Sequence, residues 1–201
     1  MNILIIKGSL NPESTSSMVA ERIKNKLCGD TSLAVKELDV RTLSVPYYRP
    51  EEHWGEDASF DNLDGNTQTL LELLKWADSF IISTPDYHGS ISGVLKNVLD
   101  HGWLEFGAKL FGCVVSGHDG GHNVINSLQT SIRNSHGWSM PYFLSFSDEE
   151  VSAGKISSDI DAKISMFCSD FPYYAKLLVG AYRERSDNEN SFCHRYIKVN
   201  M

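Results

Sequence analysis

The sequence predicts an α/β fold: a five-stranded parallel sheet of order 2-1-3-4-5, covered by helices on both faces in a three-layer sandwich. Three observations lead there. Short, continuously apolar runs alternate with segments whose apolar residues recur at helical spacing, the pattern of parallel strands buried on both sides. Loops rich in Gly, Ser, Thr and Pro follow the first, third and fourth of those runs. The chain has 201 residues, 41% hydrophobic and 22% charged, the size and balance of one domain over 1–201.

Each element follows in order. Ile3-Leu4-Ile5-Ile6 is a buried first strand, and Met18, Val19, Ile23 and Leu27 mark the helix after it. Residues 33–40 read as a second strand, less apolar and therefore nearer an edge. Residues 42–66, with Pro46, Pro50 and the aromatics Tyr47, Tyr48, Trp54 and Phe60, read as a long loop of the kind that often serves function. Leu70, Leu71, Leu74 and Ala77 mark a second helix, Phe80-Ile81-Ile82 a third strand, and Val94, Leu95, Val98 and Leu99 a third helix. Lys96 and Asp100 stand four apart on that helix and are placed to pair. Leu110–Val115 is a fourth strand, with Cys113 as a small core residue. Ile125, Leu128 and Ile132 mark a fourth helix, and Met140 to Phe146 a fifth strand. Ile160, Ile164, Phe167 and Phe171 begin a last helix, interrupted near Pro172. From Asn188 the chain reads as a tail.

Composition narrows the task. The formal net charge of −8 argues against nucleic acid or an anionic membrane as partner. No apolar run is long enough to span a bilayer, and Met1–Lys7 reads as a strand rather than a leader, so a cytoplasmic location is expected. Cys28, Cys113, Cys168 and Cys193 are irregularly spaced and contain no C-x-x-C pair, which makes zinc and redox-dithiol readings weak.

In an open parallel sheet, ligands bind beyond the carboxyl ends of the strands, where the strand order reverses. Order 2-1-3-4-5 brings segments 8–16, 84–92 and 116–121 together at such a point. The first carries Ser9, Asn11, Ser14, Thr15, Ser16 and Ser17, then opens into a helix. Free N–H groups and the positive end of the helix dipole attract an anion there. A helix cap needs only one of these serines. The loop has neither G-x-x-x-x-G-K-[ST] nor G-x-G-x-x-G, which argues against nucleotide hydrolysis and a dinucleotide fingerprint. In the second loop, Asp86 and His88 invite an acid-base reading, although solvated or capping roles suit them as well. The glycines of Ser116-Gly117-His118-Asp119-Gly120-Gly121 let backbone approach a ligand closely.

These residues resemble the NADPH-dependent FMN reductase family of flavodoxin-like proteins. Gly8-Ser9-Leu10-Asn11-Pro12-Glu13-Ser14-Thr15-Ser16 is similar to that family's G-S-x-R-x-x-S phosphate loop. Thr84-Pro85-Asp86-Tyr87-His88-Gly89-Ser90-Ile91-Ser92-Gly93-Val94-Leu95-Lys96-Asn97-Val98-Leu99-Asp100 is similar to its T-P-E-Y-N-G-S-x-x-G-x-L-K-N-x-x-D segment. The likeness in order and spacing runs through about residues 1–145.

The resemblance implies a flavodoxin-like sandwich that binds FMN and passes electrons from NADPH or NADH to a small acceptor: flavin, quinone, azo compound or metal ion. It implies that Ser9, Asn11, Ser14, Thr15 and Ser16 surround the FMN phosphate, that Pro85, Asp86, Tyr87, His88, Gly89 and Ser90 follow the ribityl chain and ring, and that Ser116 and Gly117 approach from the other side. It further implies a homodimer or homotetramer, with the helix near 93–102 at the interface. No side chain is assigned a catalytic role and no metal is expected. Three departures stand out. Asn11 replaces the family's usual Arg, Asp86 and His88 replace Glu and Asn, and residues 150–201 form a longer carboxyl-terminal part. A non-enzymatic electron carrier and a flavin-free interaction module are the alternatives, since a fold does not fix a function.

Overall fold

The computed structural model describes residues 1–194 apart from Asp57, Asp119 and Ala153, with only the backbone of Trp54. The third loop's Asp119 and the tail beyond His194 therefore lie outside the described residues.

The expected strand order is present. β1 (Asn2–Lys7) pairs in parallel with β2 (Ala34–Asp39) on one side and β3 (Ser79–Pro85) on the other, and β3 pairs in parallel with β4 (Leu110–Ser116). With β5 at Trp138–Ser139, the order is β2-β1-β3-β4-β5, with the flavodoxin-like arrangement of helices on both faces. Alternate residues of each strand point to opposite faces. Leu4, Ile6, Phe80, Ile82, Phe111 and Val115 therefore pack against α3 (Gly65–Trp76), α4 (Gly93–His101) and α5 (His122–Asn134). Ile3, Ile5, Ile81 and Val114 pack against α1 (Thr15–Leu27) and α6 (Ser158–Ser186). Cys113 is buried in the first of these cores, and burial pushes its thiol pKa up to about 12, so it behaves as a small apolar residue. Lys96 and Asp100 form the expected ion pair along α4.

The fifth strand differs from the expected run 140–146. Its place beside β4 is taken by two pieces, β5 (Trp138–Ser139) and β6 (Leu144–Phe146). Phe111 pairs with Ser139 and Val114 with Leu144, so Met140–Phe143 bulge opposite Gly112 and Cys113. Pro141 is the physical reason, since it cannot donate to the ladder. Within the bulge, Met140 joins the α1–α6 core, and the Tyr142 hydroxyl reaches across to donate to Asp170 Oδ2 at 2.8 Å. A hairpin of β7 (Val151–Ser152) and β8 (Lys155–Ile156) follows, which the sequence reading did not anticipate.

α6 also corrects an expectation, for it continues through Pro172 to Ser186. A proline inside a helix costs about 3 kcal/mol. Here Phe171, Pro172 and Ala175 are all buried, and the apolar contact of that turn offsets the lost hydrogen bond. The segment from 42 to 66 is partly ordered by α2 (Pro50–Trp54) and a 3₁₀ turn at Phe60–Asn62. It is pinned to α4: Asn97 accepts from Tyr48 N at 3.0 Å and donates to the Pro46 carbonyl at 3.0 Å. His101 Nε2 donates to that same carbonyl at 3.0 Å, and its Nδ1 stands 3.2 Å from His53 Nε2. No helix among the described residues is long and apolar enough to cross a membrane.

Candidate functional site

The carboxyl ends of β1, β3, β4 and β6 are laced together by backbone. Gly8 N–H donates to the Ser83 carbonyl (2.8 Å), Asp86 N–H to Ser116 (2.8 Å), and Gly117 N–H to Phe146 (3.0 Å). Ser92, the N-cap of α4, donates its hydroxyl back to the Gly8 carbonyl. The loops that follow these strands enclose a cleft of about 750 Å³, within the size range of small-molecule sites.

The first wall is the loop into α1. Ser14 is the N-cap, its hydroxyl accepting from Ser17 N–H at 3.3 Å and contacting Ser16 Oγ at 2.8 Å. Asn11 closes a local turn, Oδ1 accepting from Glu13 N–H at 3.0 Å, while Ser9 Oγ accepts from Asn11 N–H at 3.2 Å. The N–H groups of Thr15 and Ser16 have no acceptor among the described residues. They stand at the positive end of a helix of 13 residues, beside the hydroxyls of Ser9, Ser14 and Thr15. That donor set fits a phosphate group.

The second wall is a tight hairpin turn. Tyr87 and Ser90 exchange backbone hydrogen bonds at 3.0 and 3.2 Å around His88 and Gly89, whose φ angles are 57° and 76°. Two consecutive positive φ values are what a two-residue type I′ turn requires, and Asn-Gly suits it best. His88 holds the left-handed position without a favoured residue there. Asp86 secures the turn, Oδ1 accepting from Gly89 N–H at 2.6 Å. The third wall is Ser116 and Gly117, where an added Cβ at position 117 would lie 3.0 Å from Asp86 Cβ. The close approach of these two walls therefore depends on glycine, and it leaves backbone facing the cleft, as a flat ring needs.

Of the residues expected at the site, Ser9, Asn11, Ser14, Thr15, Pro85, Asp86, Tyr87, His88, Gly89, Ser116 and Gly117 line the cleft. Ser16 and Ser90 do not. Ser16 is fully buried behind Ser14, and Ser90 Oγ faces Ser127 Oγ at 3.3 Å. Glu13, His118, His122, Asn123 and Asp148, which are not among the expected site residues, complete the lining. Asp148 Oδ1 accepts from Thr15 Oγ1 at 3.1 Å, joining the end of the fifth strand to the start of α1. The strand-end rule, extended to that strand, points to it. Beyond Tyr87 a second groove of about 560 Å³ runs between Leu10, Leu43, Val45, Tyr47, Val94 and Val98.

Lys7, the lysine nearest the first loop in sequence, faces away. It pairs with Glu37 at 2.8 Å, Glu21 at 3.5 Å and Asp39 at 3.6 Å. Burial opposes its charge, but the Glu37 hydrogen bond and the three carboxylates outweigh this and hold its pKa above the usual lysine value. Arg41 grips Asp39 and lowers that carboxyl's pKa, while its Nη1 donates to the Pro12 carbonyl at 3.4 Å.

Residues 1–150 match the family described as NADPH-dependent FMN reductase. An FMN-dependent NADPH-azoreductase of Staphylococcus aureus is 31% identical over 184 residues, 89% of this chain and 92% of the relative. An NADPH azoreductase of a Bacillus species is 29% identical over 163 residues, 79% of this chain and 84% of the relative. Among solved structures, the flavoenzyme NAD(P)H:(acceptor) oxidoreductase from Paracoccus denitrificans superposes with a TM-score of 0.64. It does so over 89% of this chain and 95% of its own, at 17% identity. An FMN-dependent NADH-azoreductase from Bacillus anthracis, solved with FMN, gives 0.65 over 85% and 98% at 11% identity. The two structures share the fold. By the match over residues 1–150 and the extent of its likeness to the Staphylococcus relative, the chain belongs to the NADPH-dependent FMN reductase family of oxidoreductases.

Proposed function

We propose that this protein is an FMN-dependent NAD(P)H oxidoreductase acting on a small acceptor in the cleft at the strand ends. The observation that carries the reading is the juxtaposition of unspent helix N-terminal N–H groups with two backbone-lined walls in one cleft. Ser9, Asn11, Ser14 and Thr15 hold the FMN phosphate, with Ser16 supporting Ser14 from behind. Pro85, Asp86, Tyr87, His88 and Gly89 hold the ribityl chain and one side of the ring, and Ser90 fixes the turn that presents them. Ser116 and Gly117 hold the other side. When bound, FMN supplies the redox chemistry. The chain's residues position it and limit water, and none acts as nucleophile or general acid. The groove beyond Tyr87 suits the apolar part of an acceptor such as a quinone or azo compound, as the relatives' names suggest for azo compounds.

The same reading makes the protein a single-domain cytoplasmic homo-oligomer, a homodimer or homotetramer that includes the α4 face. Its test begins with purified protein. Flavin absorbance bands, or their appearance on adding FMN, followed by oxidation of NADPH or NADH with a panel of acceptors, are the expected results. A protein that FMN cannot reconstitute overturns the reading. Light scattering checks the oligomer.

A further inference from the structure

The groove beyond Tyr87 owes one of its walls to a pair of histidines that the cleft itself does not use. Residues 43–47 line that groove together with Val94 and Val98 of α4. Two side chains one turn apart on α4 hold the segment in place. Asn97 accepts from Tyr48 N–H and donates to the Pro46 carbonyl, and His101, only 5% exposed, donates through Nε2 to the same carbonyl at 3.0 Å. On its other side, His101 Nδ1 stands 3.2 Å from Nε2 of His53 on α2. The Tyr48 ring packs on both imidazoles, with centroids 4.9 Å from His53 and 5.4 Å from His101.

Proton counting limits what this arrangement tolerates. A carbonyl only accepts, so His101 Nε2 carries a proton. The gap between the two imidazoles is then bridged by one proton, on His53 Nε2 or on His101 Nδ1. A neutral pair supplies it, and so does a pair carrying one positive charge. A pair carrying two charges puts an N–H from each ring into the 3.2 Å gap and sets like charges side by side. Resting on the flavin reading above for what the groove holds, we infer that the His53–His101 pair is a proton-operated clamp: a second proton frees residues 43–48 from α4 and loosens the acceptor groove, so that an apolar acceptor binds less well in acid.

The groups facing the pair are Tyr48, Glu52 beside His53 on α2, Glu105 on the 3₁₀ turn Leu104–Phe106, and Lys75 of α3, which lines the same recess. Glu52 pairs with Arg49 at 3.6 Å, Glu105 accepts from Trp103 N–H at 3.2 Å, and Asp100, next to His101, pairs with Lys96. Asp57 and the Trp54 side chain lie outside the described residues. Burial and the neighbouring His101 outweigh Glu52 and Glu105 and hold the His53 pKa below the usual histidine value. The closed clamp therefore resists the second proton, while the open segment takes it up. Opening gains up to about tenfold per pH unit below about pH 6.5, the ordinary histidine value.

Amide hydrogen exchange on the whole protein tests the clamp at Tyr48 N–H, with Ile5 N–H of β1 as the internal standard. Corrected for intrinsic exchange rates, Tyr48 protection should fall by at least about tenfold between about pH 7.5 and about pH 5, with no matching fall at Ile5. His53→Gln places an amide in the gap, which donates without a second charge, and should lose the fall. With FMN-loaded enzyme, KM for 1,4-naphthoquinone should rise by at least about threefold over the same range in the parent and not in His53→Gln. Constant Tyr48 protection in the parent overturns the inference, as does an equal fall at Ile5, an equal fall in His53→Gln, or an equal rise of KM in both proteins. The exchange measurement needs no flavin. A fall at Tyr48 alone, in a protein that FMN cannot reconstitute, supports the clamp and removes the flavin reading.

Discussion

Asn11→Arg is the substitution that most directly tests how the cleft holds an anion. Asn11 lines the cleft and is exposed, so a guanidinium there reaches the loop without displacing a buried group. Two unit charges about 4 Å apart attract by about 4 kcal/mol at an effective dielectric of about 20. Solvent at this open position reduces that to the about 1.5–3 kcal/mol measured for hydrogen bonds to charged groups. The loss is the local turn in which Asn11 Oδ1 accepts from Glu13 N–H at 3.0 Å, worth about 0.5–1 kcal/mol. The net gain is about 1–2 kcal/mol, or about 5- to 30-fold tighter FMN binding. Calorimetric titration at low and high salt is the assay. The gain should shrink with salt, because an exposed pair is screened. Riboflavin affinity should not change. Unchanged or weaker FMN binding, or an equal gain for riboflavin, would refute the placement of the phosphate at this loop.

The remaining predictions concern charge, space and pH. Asp148→Asn removes a carboxylate from the cleft while leaving an oxygen for Thr15, and should tighten FMN by about three- to tenfold in the same titration. Gly121→Ala meets both a φ of 66° and a Cβ contact of 2.4 Å with Val115 Cγ1, and should cost about 2–4 kcal/mol. Gly154→Ala, at φ 78° with open space around it, should cost only about 1 kcal/mol. Thermal melts that rank these two equally would refute the packing at the start of α5. Burial opposes the charge on Glu37, but hydrogen bonds from Lys24 and Lys7 outweigh it and lower the pKa; Asp39 is lowered by Arg41. The unfolded state therefore binds more protons in acid. The stability these groups contribute is complete above about pH 4.5 and is lost as pH falls through their folded values. Urea midpoints measured across that range should fall less steeply in Glu37→Gln than in the parent.

The parts of this molecule that were legible in the sequence are those fixed by local pattern. Ile3–Ile6 and Phe80–Ile82 are apolar throughout because both faces of their sheet are covered, and the helical spacing of α1, α4 and α5 follows from packing on one side. The loops at the strand ends were legible by composition, and strand order brought them together. What pattern could not convey is register and competition. Pro141 splits the fifth strand only because β4 requires pairing on both sides of it, and Pro172 stays helical only because its turn is buried. At the site, the serines of the first loop look alike in sequence. Ser14 caps the helix and Ser16 is hidden behind it, a division decided by where the chain turns into α1. Arg41 and Asp148 reach the loop from 29 and 133 residues away, distances over which spacing carries no signal.

The split fifth strand bears on how the protein behaves when crowded. The outer border of a sheet is a template on which a foreign strand can be laid, and long flat borders seed aggregation. Beside β4 that border is reduced to pieces of two and three residues, Trp138–Ser139 and Leu144–Phe146, separated by a bulge that contains a proline. Neither piece is long enough to recruit a strand from another molecule. The opposite border, β2, carries Lys36, Glu37 and Asp39 along its six residues, which discourages self-addition by charge. The interruption that displaces the expected strand thus leaves the sheet closed to growth at both sides.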